Sequence, residues 1–154
     1  MKFWLQPKDE HIVYEALTAI ADDRVEIIGS AAKVFSSSRN KFYTVVFDLE
    51  KISFMSDDNM AYYRDEVSYP MLAVLLLKNK ITFDHRILPY LKNIPWKDIN
   101  QKNKNDYMKS VREFLETLGY NRALVESEAK RIFDDLLKIK LSVLGEKVIP
   151  PKGY

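Results

Sequence analysis

Residues 71–77, Met-Leu-Ala-Val-Leu-Leu-Leu, form an unbroken apolar run. A membrane-spanning helix needs about 20 such residues, so this run cannot cross a bilayer and has to be enclosed by the rest of the chain. Pro70 suits the first turn of a helix, where its missing N–H costs nothing. A helix that is apolar on every side is a central one, so the surrounding sequence must supply layers that cover it. At 154 residues with 47% apolar side chains, the chain is long enough to do this in about one domain.

The pattern on either side predicts what those layers are. From residue 7 to residue 21, Ile12, Val13, Ala16, Leu17 and Ile20 fall on one stripe of an amphipathic helix, with Asp9 and Glu10 at its positive end. The period then shortens. Residues 24–28 and 33–36 alternate as strands about a Gly29-Ser30 turn, and residues 42–47 are β-branched or aromatic throughout. Residues 51–55 follow after a tight connection, so that 24–55 reads as a four-stranded antiparallel meander, with a polar loop at 56–67. Two further amphipathic helices, one through Tyr107, Val111, Phe114 and Leu118 and one from Val125 to Leu144, meet at Gly119-Tyr120-Asn121 as a helical hairpin.

The expected fold is therefore α+β: an N-terminal helix, the meander, a buried helix and a C-terminal helical hairpin. Its expected divisions are a domain at 1–82, an irregular connection at 83–105 interrupted by Pro89 and Pro95, with a short helix around 84–91, the hairpin at 106–145, and a tail at 146–154.

Composition removes most chemistry. There is no cysteine, which excludes disulfides, thiol nucleophiles and Cys-based zinc sites. The four glycines stand isolated at 29, 119, 145 and 153, so no glycine-rich phosphate loop is possible. His11 and His85 stand in no metal-binding motif, and Ser36-Ser37-Ser38 has no base beside it in sequence. Asp48, Glu50, Asp57 and Asp58 are the acids that a metal-dependent nucleic-acid enzyme could use, although acids at a hairpin and before a helix more often serve turns and helix dipoles. The sequence calls for no cofactor and for no membrane partner. The N-terminus lacks a signal-peptide pattern, so a cytoplasmic location is expected.

The 24 Lys and Arg against 22 Asp and Glu give a net charge of +2, so any attraction for nucleic acid has to be local. Between residues 92 and 112, Lys92, Lys97, Lys102, Lys104, Lys109 and Arg112 face only Asp98 and Asp106, with Trp96 and Tyr107 interleaved. Cations among aromatics contact phosphates and stack on bases. The turn carrying Arg39 and Lys41 offers a second such place.

The middle of the chain resembles the SWIM zinc-finger family, whose pattern is C-x-C, a variable spacer, then C-x-H running into an apolar helix. Ser68-Tyr69-Pro70-Met71-Leu72-Ala73-Val74 stands in the register of the last pair, Ser53-Phe54-Met55 in that of the first, with residues 56–67 between them. The segment from Ala21 to Asp48, with its Val-rich strand, serine-rich turn and Tyr-Thr-Val, is also similar, so the resemblance spans about residues 20–80. All four ligand positions, Ser53, Met55, Ser68 and Pro70, have lost the thiolate or imidazole that zinc needs. The resemblance implies a metal-free, non-catalytic binding module for DNA or for protein, since family members occur beside transposases, helicases, recombination factors and ubiquitin ligases. The expected partner is DNA, a nucleic-acid-processing complex that the chain joins as an adaptor, or a second copy in a homodimer; a purely structural subunit and the metal-dependent enzyme are the alternatives.

Overall fold

Helix α1 (His11–Ala21) leads into strands β1 (Val25–Ile28), β2 (Ala31–Phe35), β3 (Phe42–Asp48) and β4 (Ser53–Ser56). These pair antiparallel in chain order, with Val34 opposite Tyr43, Val45 opposite Ser56 and Phe47 opposite Phe54. Two helices follow, α2 (Asn59–Arg64) and α3 (Tyr69–Leu77), then a 3-10 segment at His85–Leu91, and then α4 (Trp96–Lys102), α5 (Tyr107–Glu116) and α6 (Arg122–Leu137). A short β5 (Ser142–Val143) closes the sheet by pairing parallel with β4. The computed structural model describes residues 1–152; Gly153 and Tyr154, the end of the expected tail, lie outside the described residues.

Helix α3 is the apolar run, and its residues 70–76 are all buried. It lies between α1 on one side and strands β1, β3 and β4 on the other. Pleat alternation sends Ala32, Val34, Val45 and Phe47 into this core, while Lys33 and Val46 face away. Tyr14 of α1 meets Trp96 of α4 at a tilt and Phe114 of α5 edge-on, with ring centroids 6.3 and 6.1 Å away. Through these rings the helical half joins the same continuous core, which runs from Trp4 through α3 to Ile132, Leu136 and Leu141. Among the described residues no helix is long and apolar enough to cross a membrane.

The α+β architecture and its order agree with expectation, and five details differ. First, α1 begins at His11 rather than near Pro7, because residues 3–5 are held in extended form by bridges from Phe3 to Ser142 and from Leu5 to Glu66. Second, the fourth strand starts at Ser53: the Asp48 carboxylate accepts the backbone N–H groups of Glu50 and Lys51, and Ile52 takes a left-handed φ of 49°, so the turn extends through residue 52. Third, the expected loop contains α2, which Asp58 caps by accepting the Ala61 N–H at 2.9 Å. Fourth, residues 83–105 are no irregular connection. The 3-10 segment lies where the short helix is expected, α4 follows it, and Asn103 is buried, its amide bonded to Ser110 and Glu113. Fifth, the last helix stops at Leu137 and the sheet has five strands instead of four. The Ser142 and Leu144 N–H groups donate to the Ile52 and Phe54 carbonyls, which draws this segment into the sheet.

Truncating a side chain on α3 tests its place at the centre. Leu75→Ala is expected to cost roughly 2–5 kcal/mol in urea unfolding through the cavity it leaves. Ile28→Ala, at a side chain that is 66% exposed, is expected to change stability by less than about 0.5 kcal/mol.

Candidate functional site

A cleft of about 500 Å³ opens where the β2–β3 turn, α1, α2 and α4 approach one another. Its size falls within the range of pockets that hold a small molecule or a nucleotide. Each wall comes from a different part of the sequence. His11, Ile12 and Glu15 come from α1; Ser36, Asn40 and Lys41 from the turn; Tyr43 from β3; Tyr63 and Arg64 from α2; and Trp96, Lys97 and Asn100 from α4.

The floor is polar and internally bonded. Glu15 lies one helical turn after His11 with its side chain 20% exposed, accepts from Asn100 Nδ2 at 3.3 Å, and has His11 Nε2 at 3.9 Å. Burial raises the Glu15 carboxyl above the ordinary carboxylate range, against the opposing attraction of His11 and Arg24. His11 Nδ1 pairs with the Asp9 carboxylate, and its ring stacks on Tyr107 at 4.3 Å, so the imidazole is held on two sides. Arg24 is buried, donates from Nη1 to the Phe35 carbonyl at 2.6 Å, and has Nε 3.7 Å from Asp22. Burial, helped by the nearby carboxylates Asp58 and Glu15, pushes the Tyr43 hydroxyl up to about 12, and burial likewise raises Tyr69. Both phenols are therefore neutral at physiological pH.

The rim is cationic. Lys41, held over the Tyr43 ring at 5.3 Å, shares the lining with Lys97 and Arg64. Tyr63 adds an aromatic ring that is 72% exposed. The serines of the turn serve its geometry: the Ser36 and Ser38 hydroxyls donate to Asn40 Oδ1 at 3.1 and 2.7 Å, and Arg39 takes a left-handed φ of 61°.

The cations expected to bind nucleic acid thus divide. Lys41 and Lys97, 56 positions apart in the sequence, come together on the cleft. Arg39 instead donates to the Asp22 carbonyl at 2.8 Å, and Lys102 stands 3.9 Å from Glu113. Lys104, Lys109 and Arg112 are exposed beyond the lining. Sequence reasoning misses His11, Glu15, Arg24, Arg64 and Asn100. The one available signal is the His11–Glu15 spacing of four on α1, which puts both side chains on one helix face.

Several of the candidate metal-binding acids are engaged by the fold. Asp48 caps its turn, Asp57 accepts the Thr44 N–H at 2.8 Å, and Asp58 is buried. Among the described residues no group of three His, Asp or Glu side chains is gathered so as to hold a metal ion. At the four positions aligned with zinc ligands, Ser53 pairs with the Ser142 hydroxyl, Met55 is buried, Ser68 donates to Asp58 Oδ2 at 2.6 Å, and Pro70 is buried in the first turn of α3. Asp58 Oδ2 also accepts from Ser56, while Oδ1 caps α2. One carboxylate therefore ties the end of β4 to the starts of α2 and α3.

A family model described as Uncharacterised conserved protein UCP014422 matches residues 5–142. The chain belongs to the UCP014422 family. No curated protein and no solved structure matches it. The region shared with UCP014422 takes in every residue that lines the cleft, as well as Asp58 and its partners.

Removing the Asp58 carboxylate strands the two hydroxyls and the Ala61 N–H. Asp58→Ala is expected to lower stability by about 3 kcal/mol, seen as a lower urea midpoint with an unchanged slope. Ser56→Ala, which removes one donor and leaves the others in place, is expected to cost about 1 kcal/mol.

Proposed function

We propose that this protein is a non-catalytic module that binds single-stranded nucleic acid, with the cleft as its contact. The observation that carries this reading is the meeting of Lys41, Arg64 and Lys97 on one cleft that also presents Tyr63 and Tyr107. Cations track phosphates and aromatic faces take unstacked bases, a pairing that suits single strands far better than a duplex. Lys102, Lys104, Lys109 and Arg112 continue the positive surface beyond it and add backbone contacts that carry no sequence information.

Fluorescence anisotropy with a labelled oligothymidine of about 12 nucleotides tests this. The double reversal Lys41→Glu/Lys97→Glu is expected to weaken binding at least tenfold at low salt and to flatten the salt dependence by roughly one unit or more of slope. Lys104→Glu/Lys109→Glu is expected to have a smaller effect. Binding by the first variant as tight as that of the native chain would overturn the reading.

We also propose that β4, α2 and α3 are a metal-free relative of the SWIM finger. The support is the Asp58 link, since it joins the end of β4 to the start of α3, the two places that a zinc ion bridges in that pattern. Three hydrogen bonds to a buried carboxylate and the apolar packing of Met55 and Pro70 then hold what the metal would hold. Placing Cys at 53, 55 and 68 and His at 70 is expected to yield a protein that purifies with one equivalent of zinc. A folded variant without zinc would count against the relationship.

A further inference from the structure

We infer that Glu15 selects guanine among the bases that enter the cleft. This inference rests on the nucleic-acid reading above and assigns the base that the site prefers.

Glu15 stands on the floor of the cleft, between the stacked pair His11–Tyr107 and the α4 residue Asn100. A carboxylate offers about four lone-pair sites over two oxygens and accepts two parallel N–H bonds. Asn100 Nδ2 takes one of these sites at 3.3 Å, and His11 lies at the edge of ion-pair range at 3.9 Å. The carboxylate is left with capacity for a ligand's donors.

The bases differ in what they can give it. Guanine has two adjacent donors on one edge, N1–H and the exocyclic N2 amine. Cytosine and adenine set a single amine beside an acceptor nitrogen, and thymine places one N–H between two carbonyls. A carboxylate facing any of these three meets a lone pair where guanine offers a proton. Asn100 Nδ2 carries a second N–H, which suits the guanine O6 next to N1–H. Lys41 and Lys97 at the rim take the flanking phosphates, and the outward ring of Tyr63 stacks on the neighbouring base.

The ionised form of Glu15 is the one that reads guanine, so acidification should erase the preference. The groups that face Glu15 are Asp9 and His11 on the N-terminal side, Arg24 after α1, Asn100 on α4, and the Tyr43 and Tyr69 phenols, which stay neutral throughout. Burial raises the Glu15 carboxyl, so the loss sets in at a higher pH than for an exposed glutamate.

The test compares oligothymidines of about 12 nucleotides that carry one central guanine, adenine or cytosine with the all-thymine strand, by anisotropy near pH 7.5 and near pH 5. The native chain is expected to favour the guanine strand by about five- to a hundredfold. That ratio should fall toward one at the lower pH, and Glu15→Gln, whose amide offers one acceptor and one donor, should bring it within about twofold at both pH values. Equal binding of all four strands by the native chain, or a guanine preference that survives both Glu15→Gln and acidification, overturns the assignment of guanine while leaving the nucleic-acid reading in place. Failure of every strand to bind at low salt overturns both.

Discussion

The burial of α3 is the constraint on which the rest depends. Its residues 70–76 have no polar side to offer water, so α1 must lie along one flank and the sheet along the other before the helix is stable. At roughly 1.5–3 kcal/mol for each large apolar side chain removed from water, this one helix supplies a large part of the driving force for the whole chain. The enclosure also sets the site. With α1 held on α3, Glu15 and His11 project beside the β2–β3 turn, and Trp96 of α4, whose indole N–H donates to Thr18 at 2.9 Å, pins the opposite wall to the same helix.

Much of this architecture is legible in the amino-acid sequence, for reasons that lie in periodicity. The first three strands and the two C-terminal helices are segments whose burial largely repeats every two or every three to four residues, and that signal is local. The rest depends on contacts that pattern does not carry. Residues 83–105 read as an irregular connection because Pro89 and Pro95 interrupt the pattern and residues 100–105 are polar, yet Asn100 bonds Glu15 and Asn103 bonds Ser110, partners supplied by other helices. The fifth strand is two residues long, and nothing in Ser142-Val143 announces a strand until β4 lies beside it.

The cleft is half legible for the same reason. Lys41 and Lys97 are visible as members of two cationic stretches and prove to share one opening, whereas Arg64 joins them unannounced. The floor is hidden, since Glu15 reads as an ordinary helix acid and Arg24 as the first residue of a strand. Burial turns them into a fixed polar surface, and only the tertiary fold decides which acids are buried. Asp58 shows the converse: an acid that pattern offers as a metal ligand is consumed by three donors of its own chain.

The pairing of β5 with β4 has a consequence for how the chain is made. Ser53 and Ser142 are 89 residues apart, and the Trp4 indole and the Leu144 N–H both donate to the Phe54 carbonyl. At a synthesis rate of about 5–20 residues per second, β4 leaves the ribosome roughly 5–20 s before the strand that covers its edge. During that interval Phe54 and Met55 sit on an open strand beside a nascent apolar helix, a combination that invites edge-to-edge association. The growing chain thus passes through a window in which its sheet lacks the final strand, and chaperone demand should concentrate there rather than on the finished protein.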